Sequence, residues 1–148
     1  MRRKRSWPTI AVSVFAAAAV SWFAFQLLDR RPVLRIEATS VSPNPATAGQ
    51  PITITWTARE FRMCEGEVIR WITDSRGRVY EYARIASVVK DPAAPQPRTF
   101  FRELQLAKDI SPGRAVYTSR VIRWCNIVQR VLWPMTEENP AIPFIVKG

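Results

Sequence analysis

The side chains able to do chemistry are few, and their types set limits at once. The chain has 148 residues, no histidine, and only two cysteines, Cys64 and Cys125. Without histidine there is no Ser-His-Asp or Cys-His nucleophile and no His-ligated metal or haem; two thiols do not complete a four-cysteine zinc site. No cofactor is expected. Carboxylates are then the main acid–base candidates. Glu65 and Glu67 flank Gly66, so on a strand they would share a face, as a cation clamp or a paired acid and base requires. Glu137 and Glu138 are adjacent. Such pairs are more often solvated surface charge, and no catalytic or metal-binding residue is assigned. The five glycines stand singly, at turn-like positions or the terminus, so no phosphate-cradling loop is present.

Arginine and aromatic residues interleave: Trp56 and Arg59, Phe61 and Arg62, Arg70 and Trp71, Arg123 and Trp124, Arg130 and Trp133. This mixture stacks on sugars or bases, or holds anionic polymers. On alternating strands the same pattern simply puts tryptophan in the core and arginine in water, and for Trp56 and Trp71 the core is expected. Trp124 and Trp133 stay open between the two readings, because no clean alternation follows Cys125.

Two kinds of element would position these groups. Residues 6–28 carry no charge. As a helix they would rise roughly 35 Å, enough to cross a hydrocarbon layer of about 30 Å. Arg2, Arg3, Lys4 and Arg5 precede this run; Asp29, Arg30 and Arg31 follow it. The bias of basic residues predicts a cytoplasmic N-terminus and places residues 32–148 on the far side. A cleaved signal peptide competes, with the alanines at 16–19 as its small-residue site. Apolar residues nevertheless continue through Val20, Trp22, Phe23, Phe25, Leu27 and Leu28, which favours a retained anchor. Ser13, Ala17 and Ser21 form a small-residue stripe along which two membrane helices would approach, although such residues are common in any span.

Residues 32–148 read as strands. The chain's charge is +10, but about half belongs to residues 1–31, and no basic tail follows. Nucleic acid is not an expected partner. Positions 34–39 alternate, and in 52–58 Ile52, Ile54, Trp56 and Ala58 alternate with threonines. Segments 67–73 and 78–85 flank a turn at 74–77. Residues 91–97 read as a loop. Phe100, Leu104 and Leu106 share a face in 99–106, although Arg102 interrupts it. Segments 114–125 and 142–146 are strand-like, and helical periodicity is absent beyond Leu28. About seven short strands suggest a two-sheet sandwich.

Three pieces resemble immunoglobulin-like and fibronectin-type-III-like domains: VSPNPATAGQP at 41–51 leading into 52–58, DISPGRAVY at 109–117, and a cysteine pair with tryptophan between. The resemblance implies an all-β immunoglobulin-like sandwich in residues 32–148, behind residues 1–31 as head and transmembrane helix. It makes Tyr117 a corner residue whose hydroxyl ties the corner down. Tyr117 lies eight residues before Cys125 where antibody domains have two, and Cys64 follows the second strand, so a central inter-sheet disulfide does not fit. A bond between the loop after the second strand and the end of the sixth does fit; two buried free thiols are the other reading. A disulfide requires an oxidising compartment.

Together these readings describe a single-pass protein of a bacterial-type inner membrane, with a periplasmic or extracellular sandwich. Its expected role is non-enzymatic: binding or scaffolding a membrane or envelope protein, with the bilayer itself as a partner and tethering as the mechanism. Alternatives are a phage- or mobile-element-encoded envelope protein acting in lysis or host-surface modification, a polyanion binder, and an anchored hydrolase. Loops at sandwich ends carry function, so the expected binding surface is the cysteine pole, with Arg62, Arg123 and Trp124.

Overall fold

A computed structural model describes residues 7–89 and 96–148. The basic residues 2–5, and the expected loop at 91–97 apart from its last two residues, lie outside the described residues. The uncharged run forms α1 (Trp7–Leu28), 22 residues long. Its stretch Ile10–Leu28 is long and apolar enough to cross a membrane, and none of it is buried against the rest of the chain.

Beyond α1 the chain is mostly strand: β1 (Leu34–Ser42), β2 (Pro51–Glu60), β3 (Glu65–Thr73), β4 (Val79–Val88), β5 (Arg98–Gln105), β6 (Gly113–Trp124), β7 (Met135–Glu138) and β8 (Ile142–Val146). A three-stranded sheet runs β1-β2-β5; a five-stranded sheet runs β4-β3-β6-β7, with β8 also on β6. Every pairing between these strands is antiparallel, and a single parallel bridge joins Ala46 to Val146. The sequence reading missed β7, whose four residues have no buried alternation. It also missed α2 (Ile127–Val131), a single turn too short to show periodicity. Asn126 caps this turn by accepting from the Gln129 amide at 2.9 Å.

The interior is divided along the strands. Away from α1, Ile52, Ile54, Ile72, Leu104, Leu106, Ala115, Tyr117, Ile142 and Phe144 form one apolar core. A second, small cluster of Val33, Cys64 and Val89 closes the end nearest α1. Between them the inward row changes character. On β2, Ile52 and Ile54 give way to Trp56, Ala58 and Glu60; on β6, Ala115 and Tyr117 give way to Ser119, Val121 and Arg123.

The far end of the fold is tied down by Asp74 in the β3–β4 turn. Its carboxylate accepts from the amides of Arg76, Arg78 and Ser111 and from the Arg78 guanidinium. Burial would raise the Asp74 pKa, but these donors outweigh it and hold the group well below the usual carboxylate range. The same hairpin fixes the corner before β6: the Tyr80 hydroxyl donates to the Asp109 carbonyl at 3.2 Å, and Arg78 donates to that carbonyl too. Tyr80, therefore, holds the corner. The Tyr117 hydroxyl expected there is buried in the interior and completes no hydrogen bond.

Gly66 also departs from its expected turn-like role. It sits within β3 opposite Arg123 of β6. A Cβ there would lie 2.3 Å from the Ile122 carbonyl oxygen, so only glycine lets the two backbones approach.

Candidate functional site

The β3–β6 register pairs Glu65 with Trp124, so the residues one step outward, Cys64 and Cys125, face each other. They form a disulfide with their Cα atoms 4.4 Å apart. It links neighbouring strands of one sheet at the end nearest α1.

That end is also a joint with α1. The last turn of a helix leaves carbonyls without intrahelical partners. Here the Gln129 side chain donates to the Asp29 carbonyl at 2.7 Å and the Gln26 carbonyl at 3.4 Å, and Asn126 donates to Gln26 at 3.2 Å. Gln129 is fully buried, and its Oε1 accepts from the Cys125 amide at 2.9 Å. The Asp29 carboxylate receives Arg62 at 2.7 and 3.2 Å and Arg31 at 2.8 and 3.1 Å. The Arg31 hydrogen bond, helped by Arg62 and opposed by burial, lowers the Asp29 pKa from 3.8 to about 2.

A folded-state pKa below the unfolded value means that this contribution is complete above about 3.8 and is lost as pH falls through about 2. The joint is thus expected to be indifferent to pH between about 4 and 7 and to loosen near 2. Asp29→Asn should loosen it at neutral pH. Amide hydrogen exchange at 29–33 checks this: unchanged protection in the variant would contradict the assigned role.

Around the joint, apolar side chains face outward. Ile127, Val131, Leu132 and Trp133 are between 58 % and 69 % exposed, as is Met63, and Phe61 is also exposed. Arg30 stacks on the Trp133 ring, 4.8 Å from its centroid. Ser13, Ala17 and Ser21 are exposed along α1.

The expected surface of Arg62, Arg123 and Trp124 does not form one patch. Arg62 is engaged with Asp29. Arg123 is 4 % exposed and points into the protein. Trp124 is half-buried on the outer face, donating to Glu65 at 3.2 Å beneath Arg130. Glu65 and Glu67 lie on one face of β3, each beside its own arginine: Glu67 at 3.6 Å from Arg84 and Glu65 at 3.9 Å from Arg130. No group of three His, Cys, Asp or Glu residues gathers among the described residues.

One dipeptide is reversed from expectation, and a second, whose tryptophan the sequence leaves open, has the same arrangement. In Arg70-Trp71 and Arg123-Trp124 the arginine is buried and the tryptophan is not. Trp71, expected in the core, lies under Arg120 on the outer face. A register shift explains how Arg70 is accommodated: between Val68 and Arg70 the partner strand β4 has an extra residue. At that bulge the Ala83 carbonyl accepts from Arg70 Nη2 at 2.7 Å.

Between the sheets, on the α1 side of the main core, lies a cavity of about 160 Å³. Trp56, Glu60, Arg70, Tyr117 and Arg123 all line it. These five residues also supply every buried side-chain nitrogen or oxygen, among the described residues, that has no hydrogen-bond partner. Trp56 packs on Tyr117 with ring centroids 6.0 Å apart. Burial raises the Tyr117 pKa, with Ser119 and the Arg70 charge opposing. Burial lowers the pKa of Arg123, with Glu137 and Glu60 opposing. Sequence reasoning missed Glu60 and Arg70; Arg102, which breaks the apolar face of β5 and lines the same cavity, was the available signal.

No protein family matches the sequence, and no curated protein matches it. Among solved structures, the chain is similar to the alkylpurine DNA glycosylase AlkC of Pseudomonas fluorescens bound to DNA containing an abasic site analog. The TM-score is 0.47 at 13 % identity, covering 95 % of this chain and 39 % of that one. It is similar to Spo0M, the sporulation control protein of Bacillus subtilis, at TM-score 0.40 and 9 % identity, covering 79 % and 50 %. A beta-glucosidase from Listeria innocua in complex with glucose gives 0.38 at 15 %, covering 78 % and 16 %. The chain therefore spans half or less of each of these structures, and likeness at this level assigns no activity.

Proposed function

We propose that the protein is a single-pass, membrane-anchored binding module without enzymatic activity. Its N-terminus is cytoplasmic, and an immunoglobulin-like head stands outside the cytoplasm beside a partner resident in the same membrane. The observation that carries this reading is the exposed apolar flank of Ile127, Val131, Leu132 and Trp133 at the end where α1 leaves the head. Exposed apolar groups clustered at one place mark an interaction surface. Because Gln129, Asn126 and Arg62 fix the helix to the head, this flank is held close to the bilayer and not on a loose tether.

The strand partition supports the immunoglobulin-like reading. The first, second and fifth strands form one sheet, while the third, sixth and last share the other, as in that family. The fourth strand lies on the second sheet, as the extra edge strands of variable-type domains do.

The test is a photoreactive amino acid at Leu132, with Gly77 at the opposite pole as control, in the full chain and its native membrane. A single membrane protein captured from Leu132 and not from Gly77 is the expected result. Adducts to lipid alone, or equal capture from both sites, would overturn the proposal.

A further inference from the structure

The inter-sheet cavity has a polarity that its own residues leave incomplete. Arg70 is 7 % exposed, and no carboxylate among the described residues lies within ion-pair distance of it. Its Nε, the Trp56 indole N–H and the Tyr117 hydroxyl are all buried without partners. A buried charge without a counter-ion is costly, and each unmade buried hydrogen bond adds to the cost. One cation with a free N–H and two further buried donors in the lining of the same cavity call for an acceptor of negative charge.

The other end of the cavity is balanced differently. Arg123 feels the charges of Glu137 and Glu60, and Glu60 also has Arg98 at 3.7 Å. The anion is therefore called for at the Arg70 end. The remaining walls are apolar, including Val68, Ile85 and Val121. An engineered apolar cavity of about 150 Å³ takes a benzene-sized guest, so this volume suits a small molecule.

We propose that the cavity is a binding site for a small organic carboxylate with a short apolar tail. Its carboxylate accepts from Arg70 Nε, Trp56 Nε1 and the Tyr117 hydroxyl, and its tail lies against Val68, Ile85 and Val121. Arg70 is placed to be a ligand group: its Nη2 is already spent on the bulge carbonyl of Ala83, which fixes the guanidinium and leaves Nε for the guest. The site does not depend on which side of a membrane the head occupies, so it stands or falls separately from the proposed function.

The probes are acetate, butyrate and hexanoate, with butyramide as the neutral isostere and chloride as the bare anion. Each is titrated into the full chain in nanodiscs, and tryptophan emission, in the native chain and in Trp56→Phe, and the melting midpoint are followed. Butyrate is expected to bind better than acetate, and butyramide much worse. A charge-assisted hydrogen bond is worth about 1.5–3 kcal/mol, so Arg70→Gln should weaken butyrate about ten- to a hundredfold. Tyr117→Phe keeps the ring and should weaken it by about tenfold, which guards against Arg70→Gln failing to fold. Binding of chloride as tight as that of butyrate, equal binding of amide and acid, or unchanged binding in both variants would overturn the proposal. So would the absence of any response to the three acids.

Discussion

Replacing both cysteines with serine is expected to cost the head about 4 kcal/mol, the chain-entropy value for a link closing about 60 residues. For a domain of this size that is a melting midpoint lower by on the order of 15 °C. The effect should be large because the bond sits where three features meet. It closes the β3–β6 pair, the Cys64 carbonyl accepts from the Val89 amide at 3.0 Å, and the Cys125 amide donates to Gln129. Gln129 in turn holds the end of α1. Loss of the bond should therefore raise hydrogen exchange at 26–33 as well as lower the midpoint. A double-serine variant that melts within a degree or two of the native chain, with unchanged exchange there, would remove the disulfide from its structural role.

Phe144→Ala should be as damaging, by about 3–5 kcal/mol, since it opens a cavity in a packed core. β8 alternates strictly, with Ile142, Phe144 and Val146 buried and Pro143 and Ile145 outward. Phe144 is 1 % exposed among core residues from both sheets. Its neighbour Ile145 is 45 % exposed, so Ile145→Ala should fall within about 0.5 kcal/mol of native. Equal losses from the two variants, read by chemical denaturation, would mean that β8 is not seated as described.

The strands with buried alternation were legible in the sequence because period two is imposed by the backbone and half of each strand meets a dry interior. Segments 52–58 and 142–146 were read correctly on that basis, and the 67–73 and 78–85 hairpin with its turn was found from Asp74 to Gly77. β7 and α2 were not legible. Four residues on one edge and a single capped turn carry too little pattern: β7 is defined by its pairing along β6, where Arg120 meets Glu138, and α2 by Gln129, which reaches the Asp29 carbonyl.

The site was legible only in part. Cysteine spacing and strand counting placed the cysteines at one pole, but of the side chains singled out there Arg62 is engaged in the joint with α1 and Arg123 points inward. Composition rules also put Trp71 inside and Arg70 outside. The reverse holds because a β-bulge supplies Ala83 to the buried guanidinium, and a bulge leaves no mark in hydropathy. Arg102, an interruption in the apolar face of β5, was the one visible sign that the interior turns polar halfway along the strands.

The most direct test of a helix held in the bilayer with its head in an oxidising space is a reporter enzyme that gains activity only after export, fused following Gly148. The account predicts an active reporter that remains with the membrane through alkaline carbonate washing. An inactive reporter on an intact fusion, or an active one released by the wash, would contradict it.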